Sequence, residues 1–594
     1  MTDPRPAILE DYRWLQSDLQ KSGVVWYGDT WTLNATPSQL WPLFHDTSRL
    51  NRALRLPKSE YTERDGKRVG TTQYFRQTFA WDEPPWEWIH DRLLVCRKTM
   101  TKGPVSAVVA ILTFNETTRG TDFSVWYGWQ PRGVVGRVVA PRLTSYLKTS
   151  FELLIPRVTD WLNGARAWSD SPMQRRRTKV APDVEAAVGR ARARLLERGH
   201  ATNAIDVFIE HLLYADPLEL DRIRPLQLAR DHGVSDDAMI DVALDATDVG
   251  LTHARWDVLC PHCRGMRSSL ESLSGIPERL NCDACAVAFE PADQQLELTF
   301  RTHERIRTIE PRVYCAAEAA LKPHIFVQMK PDSARDIQLD MVPGSYVLRA
   351  ADLSTHLTLQ VVAPSPTKQQ PVVVPDGGTV TVHQHQMLKL PATGALWIIE
   401  TAKPTGASIR AADVLSRPSY RAVMGTEELP ANLALEVGVQ TLLFTDVVSS
   451  TAMYRDMGDI SAFIAVKKHF SIVFGLINDE GGVVIKTIGD AVMAAFTSPE
   501  NAARAAQEIA IADLGQIEVR VSLHSGPCLA VNLNKGVDYF GSVVNEAAKL
   551  QAAAGASEIA VSPELAERLG IAGTSVDYTS GGEPRTAVVW SAGD

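Results

Sequence analysis

The stretch LLFTDVVSST, residues 442–451, decides the fold of the C-terminal part of this chain. An apolar run typical of a buried strand ends at Asp446, and small polar residues begin the helix that follows. Hydroxyl groups and free backbone N–H groups at a helix N-terminus favour anions such as phosphate. The pattern predicts a strand end that carries a carboxylate beside a phosphate-binding turn. Taken alone, Asp446 could equally be an ordinary helix N-cap.

A second stretch, VVIKTIGDAVMAAF at residues 483–496, predicts a β-hairpin whose Gly489–Asp490 turn presents another carboxylate. Two carboxylates from neighbouring strand ends suit a pair of Mg²⁺ or Mn²⁺ ions, which prefer hard oxygen ligands. Such a pair of ions activates a hydroxyl group for attack and stabilises a departing pyrophosphate. The two stretches together therefore predict metal-dependent phosphoryl chemistry.

Four separated stretches of this part resemble the catalytic domain of class III nucleotidyl cyclases. They are the two above, EVRVSLHSG at residues 518–526 and DYFGSVVN at residues 538–545, and their order is that of the family. The resemblance implies a ferredoxin-like domain over residues 437–594 with a pair of Mg²⁺ or Mn²⁺ ions in each active site. It also implies a head-to-tail homodimer, because in this family one subunit supplies the metal aspartates and the other supplies the groups that contact purine and ribose.

By this resemblance, each functional position of the family falls on one residue of the chain. The metal ligands are Asp446, Asp490 and the carbonyl of Val447; the triphosphate contacts are Ser450, Thr451 and Arg520; Lys486 and Asp538 contact the purine; Asn545 orients the ribose; and Lys549 stands at the position that stabilises the transition state.

Lys486 and Asp538 favour adenine. A lysine donates to adenine N1 and an aspartate accepts from the N6 amino group, whereas guanine presents a donor at N1 and an acceptor at O6. The expected reaction is therefore the conversion of ATP to cyclic AMP and pyrophosphate. A cyclase for another nucleotide, such as GTP, is the alternative within the enzyme class.

Lys549 departs from the family pattern, which has an arginine four residues after the asparagine. Lysine keeps the positive charge but lacks the planar, bidentate fork of a guanidinium. Complete loss of such a donor lowers the rate by roughly 100- to 1,000-fold, and lysine should cost less. No arginine lies between Arg520 and Arg568 to replace it. Weak activity is expected, and the second alternative is a catalytically inactive pseudo-cyclase that binds nucleotide and acts as a signalling module.

The remainder of the chain must form further domains, because 594 residues are too many for one hydrophobic core. The net charge of −9 repels nucleic acid and anionic membranes unless a local basic face intervenes. The first residues, MTDPRPAILEDYRW, do not resemble a signal peptide, and no run approaches the roughly 18 apolar residues that span a bilayer. We expect a cytoplasmic protein with no nucleic-acid partner and no integral membrane segment.

Residues 1–168 resemble the START-like helix-grip family. The strand VVWYGDTWTLN, a helix with Thr36 as N-cap and Pro37 as first residue, alternating strands and a long helix from Leu143 follow in that order. In that family the sheet wraps the last helix around an apolar cavity, so the resemblance implies an apolar small-molecule ligand that regulates the cyclase. Five tryptophans are candidates to line the cavity, although aromatic residues pack equally well in an ordinary core. They are Trp81, Trp86, Trp88, Trp126 and Trp129.

The middle of the chain completes a multidomain α+β fold. Residues 169–183 predict a linker, residues 184–255 a helical domain, residues 256–295 a zinc-ribbon-like segment, and residues 296–432 a β-rich sandwich. Two CxxC pairs predict a structural Zn²⁺, because four thiolates leave no open position for catalysis. The alternative is a lost site whose cysteines merely pack. The four residues are Cys260, Cys263, Cys282 and Cys285.

A helix-turn-helix-like sequence lies within the helical domain, which raises DNA binding as a rival function. Its second helix, residues 235–245, carries four aspartates and no lysine or arginine. Such a face would be repelled by the phosphates that it must approach. The electrostatics therefore argue against DNA as a partner.

Overall fold

The computed structural model of the chain describes most of its length. The residues described are 21–64, 67–74, 77–164, 171–174, 179–261, 264–282, 287–309, 312–316, 318–322, 324–330, 335–338, 341–351, 355–365, 370–375, 377–391, 395–401, 408–425, 428–430, 433–533, 536–580 and 582–591.

The N-terminal part is an antiparallel sheet covered by one long helix. Its elements are β1 (Val25–Leu33), α1 (Pro37–Phe44), α2 (Thr47–Ala53), β2 (Ser59–Arg64), β3 (Lys67–Tyr74), β4 (Gln77–Glu83), β5 (Glu87–Ile89), β6 (Leu93–Lys102), β7 (Val105–Thr117), β8 (Gly120–Pro131) and α3 (Gly133–Asn163). The strands pair in the order β1-β8-β7-β6-β4-β3-β2. Thr36 caps α1, as predicted: its hydroxyl accepts from the backbone of Gln39, whose side chain accepts in turn from the backbone of Thr36.

Helix α3 begins ten residues earlier than the sequence predicted, at Gly133 rather than at Leu143. Pro141 lies two residues before Leu143, and a proline often marks a helix boundary. The buried stripe of the helix nevertheless continues back through Ala140 to Gly136, at helical spacing. Packing against the sheet therefore overrides the local cost of glycine and proline.

A helical region and a small sheet follow. Their elements are α4 (Pro182–Glu197), α5 (Thr202–Tyr214), α6 (Pro217–Leu220), α7 (Pro225–His232), α8 (Asp236–Asp248), β9 (Thr252–Leu259), β10 (Met266–Leu270), β11 (Leu280–Cys282), β12 (Val287–Phe289) and β13 (Leu296–Thr302). β13 pairs with β9 from Leu296↔Val258 to Thr302↔Thr252. This pairing crosses the boundary predicted at residue 296, so β13 belongs structurally with the helical region.

The β-rich region does not form a separate sandwich. Its elements are β14 (Arg312–Val313), α9 (Glu318–Leu321), β15 (Ile325–Met329), β16 (Arg335–Gln338), β17 (Gly344–Ala350), β18 (His356–Val362), β19 (Val372–Val373), β20 (Gly377–His383), β21 (Met387–Leu390) and β22 (Trp397–Thr401). β14 pairs with β2, and β15 pairs with β5. The N-terminal sheet therefore continues through β15-β22-β17-β18-β20 and reaches 14 strands among the described residues. A second sheet, β16-β21-β19, contributes to the adjoining core.

Two short helices, α10 (Ala411–Val414) and α11 (Pro418–Met424), join this region to the C-terminal domain. Arg417, which precedes α11, binds Asp237 and Asp241 on α8, and the Arg417–Asp241 distance is 3.2 Å. The acidic face of the helix-turn-helix-like sequence is thus used for a contact within the chain.

The C-terminal domain is a mixed sheet with helices on both faces. Its elements are β23 (Leu435–Val447), α12 (Ser450–Met457), α13 (Asp459–Asp479), β24 (Val483–Ile488), β25 (Ala491–Phe496), α14 (Pro499–Ile511), β26 (Val519–Leu533), β27 (Gly536–Phe540), α15 (Ser542–Leu550), β28 (Glu558–Val561), α16 (Pro563–Leu569), β29 (Thr574–Ser580) and β30 (Glu583–Ser591). The order β24-β25-β23-β26, with helices between β23 and β24 and between β25 and β26, is the predicted ferredoxin-like βαββαβ arrangement.

The two faces of this sheet belong to different cores. α13 and α14 pack on one face, against residues such as Leu443 and Val492. On the other face, Phe444 and Met493 share a continuous core with Tyr420 of α11 and Trp256 of β9. The elements that precede the C-terminal domain are therefore packed against it rather than joined to it by an open linker.

Helix α13 is the one described helix that is long and apolar enough to cross a membrane by length and composition alone. Its buried residues, which include Val466, Val473 and Ile477, pack against the C-terminal sheet.

Candidate active site

The two predicted metal carboxylates lie at the same end of the C-terminal sheet. Asp446 is the penultimate residue of β23, and Asp490 lies in the turn between β24 and β25. Thr445 pairs with Val492, so Asp446 lies one residue beyond this pair and Asp490 two residues before it. Gly489 has a φ of 66°, a left-handed conformation that glycine adopts without strain. The antiparallel register thus brings both aspartates to neighbouring positions.

The oxygen atoms at this sheet end fit a hard cation. Oδ2 of Asp490 is buried and accepts no hydrogen bond from any residue that the structure describes. Asp446 accepts its described side-chain hydrogen bonds at Oδ2, which leaves Oδ1 available. A buried carboxylate oxygen without a partner is costly, and a divalent cation with oxygen ligands would remove that cost.

Arg520 contacts Asp446 rather than projecting freely toward a phosphate site. The two residues pair directly across β23 and β26, and Nε and Nη2 of Arg520 lie 2.9 and 2.5 Å from Oδ2 of Asp446. Because a quarter to a third of each side chain is exposed, the ion pair contributes about 1 kcal/mol at most. To bind a phosphate, the guanidinium must turn away from Asp446 at little energetic cost.

Lys486 and Asp538 are brought together from different strands. Nζ of Lys486 lies 2.6 Å from Oδ2 of Asp538, and Oδ1 of Asp538 accepts the backbone N–H of Tyr539 at 2.8 Å. The Asp538 side chain is only 6% exposed, whereas Lys486 is 32% exposed. The carboxylate is therefore fixed in orientation, and the ammonium beside it can be reached by a ligand.

Asn545 and Lys549 lie on one exposed face of α15. They are four residues apart, whereas Val543, Ala547 and Leu550 form the buried face of the same helix. Both side chains project away from the domain core. Both side chains are therefore accessible to a neighbouring molecule.

The predicted phosphate contacts lie at the start of α12. Ser449, before the helix, has a φ of 56°, and the helix has no side-chain N-cap. Ser450 is half-buried as the first helical residue, whereas the side chain of Thr451 lies outside the described residues. The Val447 side chain is buried, so only its backbone can reach the site.

His469 on α13 was missed by sequence reasoning. Its side chain is fully buried, and neither ring nitrogen has a hydrogen-bond partner among the described residues. Burial lowers the pKa of His469, and the charge of Asp490 opposes that shift only in part. The available signal was a polar residue on the stripe of Ala462, Val466, Val473 and Ile477, the buried positions of the helix.

A buried hydrogen-bond network behind Asp538 was also missed. The Tyr539 hydroxyl lies 2.6 Å from Oγ of Ser416, which donates to Oε1 of Gln440 at 2.7 Å. Arg421 of α11 donates to the Val484 carbonyl of β24 at 3.2 Å. The segment with α10 and α11 therefore contacts both the strand of Lys486 and the strand of Asp538.

The predicted zinc site lies partly outside the described residues, because Cys263 and Cys285 are not among them. Cys260 and Cys282 are buried and belong to one small cluster with Val287 and Phe289. Their proximity suits a shared site, and a Zn²⁺ ion there remains a prediction.

The N-terminal part contains a cavity of about 210 Å³. Trp81, Trp86 and Trp129 line it, as predicted. Trp88 and Trp126 do not: the Trp88 indole donates to the carbonyl of Ile325, and Trp126 packs in the core of the β-rich region. The cavity wall is completed by residues of the β-rich region, Tyr314 and Cys315.

One wall of the cavity carries a buried ion pair. Nζ of Lys98 lies 3.6 Å from Oε2 of Glu83, which also accepts the indole N–H groups of Trp81 and Trp86 at its two oxygens. Lys98 lines the cavity and lies 4.5 Å from the centre of the Trp81 ring. The cavity is thus mainly apolar with a single cationic side chain on its surface.

Two families match parts of the chain. Residues 435–583 match the family described as the adenylate and guanylate cyclase catalytic domain. Residues 191–319 match a family of unknown function, DUF5939. The second match runs across β13, in agreement with the pairing of β13 and β9.

Individual relatives are similar over part of the chain. An uncharacterized protein of Mycobacterium tuberculosis is 34% identical over 129 residues, or 21% of this chain and 33% of that protein. A receptor-type adenylate cyclase of Trypanosoma brucei brucei is 28% identical, over 25% of this chain and 34% of its own length. The chain thus spans about a third of these curated relatives. A solved monomeric adenylate cyclase from Trypanosoma brucei is 24% identical to this chain. The match covers 26% of this chain and 86% of that protein, with a TM-score of 0.24.

Proposed function

We propose that this chain, whose residues 435–583 form a class III nucleotidyl cyclase catalytic domain, converts ATP to cyclic AMP and pyrophosphate as a homodimer. The observation that carries the proposal is the neighbouring position of Asp446 and Asp490, with one Asp490 oxygen buried and unpartnered among the described residues. The experiment that tests it is identification of the product that the purified chain forms from ATP.

Asp446, Asp490 and the backbone carbonyl of Val447 would hold a pair of Mg²⁺ or Mn²⁺ ions. When bound, such ions supply Lewis-acid chemistry that lowers the pKa of the ribose 3′-hydroxyl and stabilises charge on pyrophosphate. Asp490 is prepared for this role, because its buried oxygen has no hydrogen bond to lose. Arg520 is then released from Asp446 and can bind the distal phosphates.

The reaction forms one bond and breaks another at the α-phosphorus. The ribose 3′-oxygen attacks, the bond to the bridging oxygen of pyrophosphate breaks, and the hydroxyl proton is released. Asn545 would orient the ribose for in-line attack, and Lys549 would stabilise the charge that develops on the α-phosphate. Ser450 and Thr451 would hold the triphosphate at the N-terminus of α12.

The Lys486–Asp538 pair supports adenine as the base. The lysine can donate to adenine N1 while the aspartate accepts from the N6 amino group, and the 2.6 Å separation keeps both groups on one side of the ring edge. Guanine would place a donor against the ammonium and an acceptor against the carboxylate. Since Asp538 is nearly buried, that mismatch could not be relieved by water.

Replacing Asp538 with alanine should relax this choice. We expect the ratio of kcat/KM for ATP over GTP to fall by about 10- to 100-fold, the range for one lost buried acceptor. Steady-state assays with both nucleotides measure the ratio. Asp577→Ala, at an exposed aspartate of the same domain, is the matched control and should leave the ratio unchanged. An unaltered ratio in Asp538→Ala would contradict the assignment.

Surface composition supports a homodimer. Of the 18 large hydrophobic side chains that are exposed in the described residues, ten lie in the C-terminal quarter. We take this concentration of exposed apolar groups to support a contact between subunits. The ten are Val439, Tyr454, Ile460, Phe463, Ile464, Ile488, Ile511, Leu529, Leu533 and Phe540.

Lys549 favours a second candidate function. If the ammonium does not reach the α-phosphate, the domain binds ATP but turns it over poorly or not at all. The protein would then act as a nucleotide-binding signalling module. The two candidates predict different results for Lys549→Arg: a handicapped enzyme should gain activity, whereas a nucleotide-binding module should stay inactive.

We further propose that the N-terminal cavity regulates the cyclase through an apolar ligand. Tyr314 and Cys315 form part of the cavity wall, and Glu318 follows closely in the chain. Glu318 accepts hydrogen bonds from the backbone of Trp86 at 3.0 Å and from Lys322 at 2.7 Å. Burial raises the pKa of Glu318, but the charges of Lys322 and Arg68 outweigh burial and hold it at about 2. The ionised group thus ties the cavity to the β-rich region.

Contacts of the segment with α11 connect α8 to the strands of the candidate active site. Arg417 joins α8 to α11, and Ser416 and Arg421 join this segment to the strands of Asp538 and Lys486. In this proposal, a change in the cavity reaches the C-terminal domain through packed elements.

Filling the cavity tests this proposal in the full chain. Ala110 lines the cavity from β7, and Ala110→Trp should change cyclase activity by about fivefold or more, the lower range of allosteric coupling. Ala107→Trp is the control on the opposite face of the same strand. Unchanged activity in Ala110→Trp, with its unfolding temperature preserved, would contradict regulation from this cavity. Deletion of the N-terminal part is less informative, because it would expose the edge of β15.

Two further expectations belong to this proposal. A cytoplasmic location would give the cyclase access to ATP. A structural Zn²⁺ held by Cys260, Cys263, Cys282 and Cys285 would stabilise the segment that follows β9.

A further inference from the structure

The geometry points to a membrane-docking surface at the N-terminal end of α3. We propose that three exposed valines there, the valine patch of Val134, Val135 and Val138, insert into the headgroup region of an anionic lipid bilayer, and that surrounding basic side chains bind lipid phosphates. The inference does not depend on the proposed catalytic function.

Among the described residues of the N-terminal part, the valine patch is the most exposed apolar cluster. Val134, Val135 and Val138 are 77%, 59% and 51% exposed. Their spacing of i, i+1 and i+4 places them on one side of the first turns of the helix. Valine side chains gain nothing from exposure to water, so a contiguous group of them at a helix tip indicates a surface that is covered in use.

The surroundings of the valine patch are basic, although the whole chain carries a net charge of −9. Three segments meet at this end of the sheet: residues 21–25, residues 99–106 and residues 128–145. They contain five lysines and arginines and no aspartate or glutamate. The basic residues are Lys21, Lys102, Arg132, Arg137 and Arg142. This is the local basic face that an anionic membrane requires from an acidic protein.

The helix end adds to the attraction. Among the described residues, no side chain caps the start of this 31-residue helix, and a helix N-terminus attracts anions. The Arg132 guanidinium donates to the carbonyls of Gly103 and Met100, which fixes the helix tip to the β6–β7 turn. The valine patch is therefore held rigidly at the edge of the domain.

A lipid surface fits these features better than other partners. Nucleic acid would use the basic residues but not the valines. A second copy of the same surface would bring two groups of five cations together, which like-charge repulsion opposes. Only an anionic, partly apolar surface uses both sets of side chains.

Vesicle sedimentation with the full chain tests the proposal. The chain should bind vesicles of phosphatidylcholine and phosphatidylglycerol more tightly than vesicles of phosphatidylcholine alone, and added salt should weaken the binding. Arg137→Gln combined with Arg142→Gln should weaken vesicle binding by about 25-fold, because each lost charge near the surface lowers the affinity roughly fivefold. Val134→Ser combined with Val138→Ser should weaken it by at least about tenfold.

Leu153→Ser is the matched control, because Leu153 is 61% exposed on the same helix but lies distant from the valine patch. It should bind as the unmodified chain does. Equal binding to neutral and anionic vesicles, or full binding by the valine variant, would overturn the proposal. The proposal would also fail if the valine variant changed only the oligomeric mass measured by light scattering. Binding of the chain to duplex DNA that is equally strong in the valine variant would contradict it as well.

Discussion

Asp446→Asn should abolish cyclic nucleotide formation. The amide keeps the shape of the side chain but removes the charge that would hold a divalent cation, and such an ion is worth several kcal/mol in the transition state. A loss of about 4 kcal/mol corresponds to a fall in kcat of about 1,000-fold. Steady-state assays with ATP and Mg²⁺ or Mn²⁺ measure the fall. Asp456→Asn, at an exposed aspartate of α12, should keep normal activity.

Asp446→Asn also tests whether each active site is formed by one chain or by two. Asn545 lies on an exposed helix face and would act on the site of the other subunit, so Asn545→Ala and Asp446→Asn damage different halves. Random pairing in an equal mixture should restore about a quarter of the unmodified activity, because half of the dimers then contain one intact site. A mixture as inactive as its components would contradict the shared site. A large drop in the unfolding temperature of Asp446→Asn would instead indicate that Asp446 stabilises the fold through its contact with Arg520.

Lys549→Arg should raise kcat by about 10- to 100-fold. The guanidinium offers a bidentate fork to the α-phosphate that an ammonium lacks, and a donor at such a position is worth roughly 100- to 1,000-fold when fully lost. KM for ATP should change little, because the contact strengthens in the transition state. Because Lys549 is exposed on α15, the longer side chain meets no packing obstacle in the described fold.

The control for this change is Lys467→Arg, at an exposed lysine of α13, which should leave kcat unaltered. Continued inactivity of Lys549→Arg, together with normal binding of ATP, would support the nucleotide-binding module over the enzyme.

The fold of the C-terminal domain was predictable because its signals are local. The strand that ends at Asp446 and the hairpin turn at Gly489–Asp490 are each encoded within a few residues, and the register then brings the two carboxylates together. Lys486 and Asp538 also met as predicted. The Arg520–Asp446 contact was not predictable, because it depends on which residues face each other across β23 and β26.

The joining of the N-terminal sheet to the β-rich region could not be predicted from the sequence. Period-two alternation identifies strands such as β5 and β15 but says nothing about which distant strand pairs with which. For the same reason, the sequence could not show which of the five tryptophans line the cavity. Trp86 lines the cavity, whereas Trp88, two residues later, is drawn to the carbonyl of Ile325 at the strand junction.

The role of the acidic face of α8 could not be predicted from the sequence. The aspartates argued against DNA binding, but only the structure reveals Arg417 as the partner of Asp237 and Asp241. That contact spans about 180 residues of sequence, and no local pattern marks it.

Mass-spectrometric identification of the product that the purified full chain makes from ATP with Mg²⁺ or Mn²⁺ tests the central claim most directly. Convergence of Asp446 and Asp490 on a cation pair, with Lys486 and Asp538 selecting adenine, predicts 3′,5′-cyclic AMP and pyrophosphate in equal amounts, and little cyclic GMP from GTP. Absence of any cyclic product from either nucleotide would contradict the account.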